Sequence, residues 1–118
     1  MKSYLFVLRK PTHSGAFVQE MLDIILTVAA FDQQVSILLL DDGVFHLKNN
    51  QNPESIGVKN TAAIFKALEL YDVNTIYAEA ESLAERGLTG QDLFLPVQEC
   101  FRAGISTLME QFDVVFAG

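Results

Sequence analysis

The chain has one cysteine, Cys100, and no tryptophan among its 118 residues. A lone cysteine excludes an internal disulfide bond. The absence of disulfides is typical of proteins from a reducing compartment. Charged residues make up only 19% of the chain against 50% hydrophobic residues, and this balance excludes an intrinsically disordered protein. The length predicts a single domain spanning residues 1–118.

Basic residues are scarce. Eight Lys and Arg side chains stand against 15 Asp and Glu, which gives a net charge of −7. Residues 69–118 contain just two bases, Arg86 and Arg102. An acidic chain lacks the positive surface that binds nucleic-acid phosphates or anionic membranes, so we expect no direct binding to either.

Long hydrophobic runs are also missing. The apolar stretch near the N-terminus spans about five residues, which is too short for a signal peptide. No stretch approaches the roughly 18 apolar residues of a membrane-spanning helix, so we predict a cytoplasmic protein. The mean hydropathy of +0.25 is nevertheless high for a small domain, and it indicates that partner chains cover part of the apolar surface.

The sequence does contain an alternation of strand and helix patterns. Unbroken apolar runs beginning near Tyr4, Val35 and Val73 predict strands at the centre of a parallel sheet, buried on both faces. Apolar residues at spacings of three and four predict helices over Ala16–Phe31 and over Val58–Tyr71, where Leu68 and Leu70 point inward.

Shorter elements complete the pattern. Helical turns are predicted at Val44–Leu47 and at Glu81–Arg86, and a last helix is predicted after Pro96, with Phe101 in its apolar stripe. A terminal strand is predicted at Asp113–Phe116. This alternation predicts a single-domain, three-layer α/β/α fold with a mainly parallel sheet of about five strands.

Functional residues of open α/β sheets gather at the carboxyl ends of the strands. Three groups of polar residues follow the three predicted central strands. They are Arg9, Lys10, Thr12, His13 and Ser14 after the first strand, Asp41, Asp42 and Gly43 after the second, and Glu79 and Glu81 after the third.

Common chemistries do not fit these residues. A phospho-receiver domain needs acidic residues after the first strand, where Arg9 and Lys10 stand instead. A flavin or nucleotide site needs a glycine-rich turn, which is incomplete around Ser14. The pair His13 and His46 lacks metal-ligand spacing. We therefore expect no cofactor and no metal.

Cys100 is a weak candidate for a catalytic residue. A reactive thiol needs a lowered pKa, and the predicted helix places Cys100 in a first turn, near Arg102 but also near Glu99. Its position at the flank of the buried stripe favours an inert thiol. Two alternatives stay open at this point: a thiol carrier or redox protein that uses Cys100, and a flavin- or nucleotide-binding module.

Three segments resemble the DsrE/DsrF-like family, and within it the TusC/DsrF branch. They are Ile37–Leu47 (ILLLDDGVFHL), Ala63–Asp72 (AIFKALELYD) and Ala80–Leu88 (AESLAERGL). The resemblance extends over essentially the whole chain, and the order and spacing of the segments make it specific.

The resemblance implies a subunit of a sulfur-relay complex that carries persulfide sulfur, either towards 2-thiolation of the wobble uridine of tRNA or in dissimilatory sulfur oxidation. It also implies two homologous partners, one TusB/DsrH-like and one TusD/DsrE-like, in a dimer of heterotrimers. The carrier cysteine of the sister subunit lies just after the third strand, where this chain has Tyr77–Glu79. The chain is therefore expected to be non-catalytic by itself.

The apolar excess predicts contacts between subunits. We expect them on the outer face of the helix Ala16–Phe31 and on the short element after the second strand. Phe45 is the expected anchor for a neighbouring chain, although it can equally fold back into its own core. The predicted interface residues of that element are Asp41, Asp42, Gly43, Val44 and Phe45.

Overall fold

The computed structural model describes residues 2–9, 16–31, 33–47, 67–68, 70, 73, 75–93 and 96–117. The described residues include five strands: β1 (Ser3–Leu8), β2 (Gln34–Leu39), β3 (Thr75–Glu79), β4 (Gln98–Cys100) and β5 (Val114–Ala117). They form one sheet in the order β4-β3-β2-β1-β5, and every neighbouring pair is parallel. The predicted parallel sheet of about five strands is confirmed.

The three strands predicted at the centre do occupy the centre. β2 lies between β1 and β3, and the last four residues of β1 are all buried. β3 begins at Thr75 rather than at Val73. Val73 is buried but precedes the strand, and its N–H donates to the carbonyl of Leu68 at 3.1 Å.

Helices pack on both faces of the sheet, as predicted. α1 (Ala16–Ala30) and α2 (Ala80–Glu85) contribute Leu22, Ile25 and Leu83 to a main core on one face. α3 (Ile105–Glu110) lies on the opposite face, where the buried cluster of the described residues is smaller. That second core consists of Leu5, Val7, Leu38 and Leu40, with partly buried Tyr77, Cys100, Ile105, Leu108, Met109 and Phe112 packed against it.

The helices among the described residues are short. The longest helix among the described residues, α1, has 15 residues. Over those same parts of the chain, no helix has both the length and the apolar character that a bilayer crossing requires.

The segment after Pro96 differs from the prediction. In place of one long helix, the chain forms β4, a 3₁₀ turn at Arg102–Gly104 and then the short helix α3. Gln98–Cys100 pairs with the end of β3, and this pairing outweighs the local helical spacing of apolar residues. Phe101 therefore lies outside any buried stripe and is 72% exposed.

The second predicted helix, Val58–Tyr71, lies mostly outside the described residues. Leu68 is helical and buried, as expected. Leu70 is 85% exposed, so its predicted inward position is wrong.

A tight turn follows β2 at the carboxyl edge of the sheet. The helical turn predicted at Val44–Leu47 is present as a 3₁₀ helix that begins earlier, at Asp41, a residue with a positive φ of 50°. Gly43 packs directly on the end of β1, because a Cβ atom there would lie 1.9 Å from the carbonyl oxygen of Leu8. A side chain at position 43 is thus excluded by sterics.

β1 and β5 are joined at the amino ends of the two strands. Asp113 accepts the backbone N–H of Ser3 at 2.8 Å through its carboxylate, and its own N–H donates to the carbonyl of Ser3 at 3.0 Å. These reciprocal hydrogen bonds fix the start of β5 beside the start of β1.

Candidate functional site

The best-connected polar cluster lies at the carboxyl ends of β3 and β4. Because these strands are parallel and in register, their last residues, Glu79 and Cys100, stand side by side. Glu79 is predicted from the sequence as one of the residues that follow the third strand. The structure places it at the centre of a network of hydrogen bonds.

Glu79 is buried, with 4% of its surface exposed. Its Oε1 accepts hydrogen bonds from the Ser82 hydroxyl at 2.6 Å and from the Arg102 guanidinium, at 3.1 Å from Nε and 2.8 Å from Nη2. A buried carboxylate that accepts charge-assisted hydrogen bonds is held in one geometry. It therefore serves as a structural anchor between β3 and the chain after β4.

Arg102 closes the network from the other side. Its guanidinium also donates to Glu85 in α2 at 3.1 Å. Its backbone N–H donates to both carboxylate oxygens of Glu81, at 2.9 and 3.0 Å. Arg102 thus fastens the turn after β4 to the end of β3 and to two positions of α2; we call Glu79, Glu81, Glu85 and Arg102 the Arg102 clamp.

The turn after β2 joins the same cluster. The Ser82 hydroxyl, itself buried, accepts the backbone N–H of Asp41 at 2.9 Å. Arg86 donates to the Asp42 carboxylate at 2.9 Å. The structure therefore brings the sequence-predicted residues Asp41 and Asp42 next to the end of β3.

The remaining residues of the predicted interface are less accessible. Gly43 and Val44 are buried. Phe45 is half-buried and packs against the main core. The interface assignment of these residues stays a prediction. Of the residues predicted after the first strand, Lys10, Thr12, His13 and Ser14 lie outside the described residues, as does the side chain of His46.

The charge state of Glu79 follows from its partners. Burial by itself raises the pKa of a carboxyl group, but the hydrogen bonds from Arg102 and Ser82 and the positive charge of Arg102 outweigh it. The pKa of Glu79 is therefore lowered, and the group is ionised at neutral pH. The same contacts with Glu79 and Glu85 raise the pKa of Arg102 further above its already high ordinary value.

The sequence predicts Cys100 in the first turn of a helix, and this prediction is wrong. Cys100 is the last residue of the edge strand β4. It is partly buried, and its sulfur lies 3.7 Å from the carbonyl oxygen of Ala78. Burial and the negative charges of Glu79 and Glu81 raise the pKa of the thiol. A raised pKa keeps the thiol protonated at neutral pH, which opposes nucleophilic reactivity.

The arrangement is that of an anchored junction rather than of an activated nucleophile. Within the described ranges, no group of three or more His, Cys, Asp and Glu side chains is arranged to hold a metal ion. Sequence reasoning missed Ser82 and the role of Arg102. The sequence does contain an indication of the role of Arg102. Arg86 and Arg102 are the two basic residues of the acidic segment 69–118, so ion pairs with nearby carboxylates are expected for both.

The sheet topology and the anchored strand ends define an open α/β domain with a parallel sheet covered on both faces. A model of the DsrE/DsrF-like family matches residues 2–115, and the chain belongs to this family. The resemblance seen in the sequence is confirmed.

Two relatives are similar to the chain over nearly its full length. The chain is 35% identical to the intracellular sulfur oxidation protein DsrF of Allochromatium vinosum, over 99% of this chain and 96% of that protein. It is 37% identical to a TusC homolog of Pseudomonas aeruginosa, over 97% of this chain and 96% of that protein.

Solved structures share the fold. The crystal structure of the ychN protein from E. coli superposes with a TM-score of 0.85 at 14% identity, with both chains fully covered. At this identity the likeness concerns the fold alone.

Proposed function

We propose that this chain is a non-catalytic subunit of a sulfur-relay complex and supports persulfide transfer by a sister subunit. Membership of the DsrE/DsrF-like family and nearly full-length similarity to proteins named TusC and DsrF support a role in sulfur transfer.

One observation carries the non-catalytic role. The family resemblance implies that the carrier cysteine of the sister subunit follows the third strand. At the end of β3 this chain has Glu79, which is buried and held by Ser82 and Arg102. A carboxylate has no thiol on which a persulfide could form. Its hydrogen bonds to Ser82 and Arg102 give it a structural role.

The partners in this proposal are one TusB/DsrH-like and one TusD/DsrE-like chain, together forming a dimer of heterotrimers in the cytoplasm. The sulfur is destined for 2-thiolation of the wobble uridine of tRNA. The acidic charge of this chain supports a division of labour in which another subunit or protein contacts the RNA.

The similarity to DsrF of A. vinosum supports a second destination for the sulfur. In that case the same subunit would serve a complex of dissimilatory sulfur oxidation. The two destinations are distinguished by deleting the gene and measuring 2-thiouridine in tRNA, since only the first one predicts its loss.

The test of the subunit role is reconstitution with the two sister chains from the same organism. We expect the three chains to co-purify in equal amounts and to transfer sulfur from a persulfide donor. Cys100→Ser should leave the transfer rate within a few-fold of the wild-type rate, because the thiol has a raised pKa and does not match the carrier position.

Two results would contradict the proposal. If the chain did not associate with either sister, the subunit role would be wrong. If Cys100→Ser abolished transfer while the complex still assembled, the alternative reading of Cys100 as a thiol carrier would replace it.

A further inference from the structure

The most exposed aromatic side chain at the carboxyl edge of the described sheet is Phe101. Its side chain is 72% exposed, and in the chain it stands between Cys100, the last residue of β4, and Arg102. A large aromatic ring in water at a strand end carries no benefit for folding, because it buries little apolar surface. Its exposure is explained if a partner covers it.

The backbone that carries Phe101 is fixed on both sides. Cys100 is in register with Glu79 on the preceding side. On the following side the N–H of Arg102 is bound by Glu81, and the N–H of Gly104 donates to the carbonyl of Phe101 at 2.8 Å. An aromatic anchor on a rigid backbone binds at a lower entropic cost than one on a flexible loop.

The chain on either side of Phe101 is acidic, and Glu81 accepts the backbone N–H of the next residue, Arg102. Residues 75–102 contain five acidic side chains and two basic ones, Arg86 and Arg102. Both guanidiniums are engaged within the cluster, with Asp42, Glu79 and Glu85. Glu99, two residues before Phe101, is exposed. The surroundings of Phe101 are therefore negative.

This charge argues against a second copy of the chain as the occupant. A copy that brought its own Phe101 region would juxtapose like charges, which opposes association. A complementary surface has an apolar pocket for the ring and Lys or Arg side chains at its border.

We propose that Phe101 and the surrounding carboxylates form a docking surface for a sister subunit that presents an apolar pocket bordered by basic side chains. This inference rests on the proposed function, since it takes the occupant from the same complex. It adds a contact at the carboxyl edge of β4 to the interface expected around Phe45.

The experiment measures binding of the co-purified sister chains to immobilised wild-type protein and variants at low and high salt. Phe101→Ala should weaken binding about tenfold or more, as expected for an aromatic anchor. Leu70→Ala is the control, because Leu70 is also an exposed large apolar side chain, at 85%, but precedes β3 in the chain and so lies away from the carboxyl ends of the strands. It should bind as the wild type does.

Salt and charge provide the second arm. Wild-type binding should weaken as salt rises, and Glu99→Gln should reduce that salt dependence, because one carboxylate of the surface is removed. Circular dichroism should give the same melting temperature for Phe101→Ala and the wild type, since the ring is exposed.

Each contrary result has a defined meaning. If the wild type binds the sister chains and Phe101→Ala binds equally well, the docking surface is wrong while the subunit role stands. If binding is insensitive to salt, the basic border is wrong. If Phe101 controls self-association instead, the occupant is a second copy. If the wild type binds neither sister, the proposed function and this inference both fail.

Discussion

Gly43 shows how a single residue shapes the carboxyl edge of the sheet. Its N–H donates to the carbonyl of Leu40 at 2.8 Å, and its α-carbon lies against the end of β1. Gly43→Ala should lower the free energy of unfolding by about 3 kcal/mol, because the new methyl group must displace the backbone of Leu8. Chemical denaturation measures this loss.

Gly104 is the control for that prediction. A Cβ atom at Gly104 would meet nothing within 4 Å, and its backbone is right-handed helical. Gly104→Ala should therefore be neutral or stabilise the protein by about 0.5 kcal/mol. Equal stability of the two variants would contradict the close packing at Gly43.

The Cys100 thiol is expected to react slowly. Its pKa is raised by burial and by Glu79 and Glu81, so it stays protonated up to a higher pH than an ordinary thiol. Alkylation by iodoacetamide should be slower than that of a free thiol at neutral pH and should rise steeply only in alkaline solution. The urea-unfolded chain is the control, and equal pH profiles for the folded and unfolded chains would contradict the shift.

Among the elements, the Arg102 clamp joins β3, α2 and the turn after β4. The lowered pKa of Glu79 means that its ionised form stabilises the folded state. This contribution is fully present above the unfolded pKa of about 4.5 and is lost as the pH falls through the lower folded value. The clamp should therefore weaken in acid.

Glu79→Gln tests this dependence. At neutral pH the variant should be less stable than the wild type by about 1–3 kcal/mol, because a charged hydrogen-bond acceptor is lost from a buried site. Melting temperatures followed from about pH 7 to pH 3 should converge. Asp113, whose pKa the bonds from Ser3 also lower, leaves some acid dependence in both proteins. A constant gap between the two curves at all pH values would contradict the ionised state of Glu79.

The elements also show how far sequence patterns reach. β1 and β2 were predictable because they are buried on both faces and appear as unbroken apolar runs. β4 was not, because an edge strand of three residues with an exposed-exposed-intermediate burial pattern has no such run. The pairing of β4 with β3 joins residues far apart in the chain, and so does the hydrogen bond between Arg102 and Glu79. The local spacing of residues does not indicate either contact.

At the scale of the whole molecule, the described residues form a large buried cluster on one face of the sheet and a small one on the other. In the part of the chain that the structure describes, the cluster on the face of α3 has four buried residues, and α3 itself has none. We expect the isolated chain not to behave as a clean monomer, because partly covered apolar surface of this kind favours association. Light scattering at micromolar concentration, alone and with the sister chains, should show species larger than 13.1 kDa. A 13.1 kDa species under every condition would contradict the subunit role.

Substitution of Phe45 tests whether this side chain belongs to the core or to an interface with another chain. Since it is half-buried against the main core, Phe45→Ala should lower the free energy of unfolding by about 1–3 kcal/mol. Thermal unfolding measures this, with light scattering run beside it. Lost association with an unchanged melting temperature would instead identify Phe45 as an anchor for a neighbouring chain.

The pairing of β5 with β1 has a consequence for how the protein is made. A ribosome releases β1 first, and the outer edge of that strand stays without its neighbour until residues 114–117 have been synthesised. Throughout that interval the nascent chain exposes an apolar strand edge, which is a template for aggregation. Folding of β1 is thus completed only when β5 has been made, and a chain arrested before β5 is expected to accumulate as an aggregate.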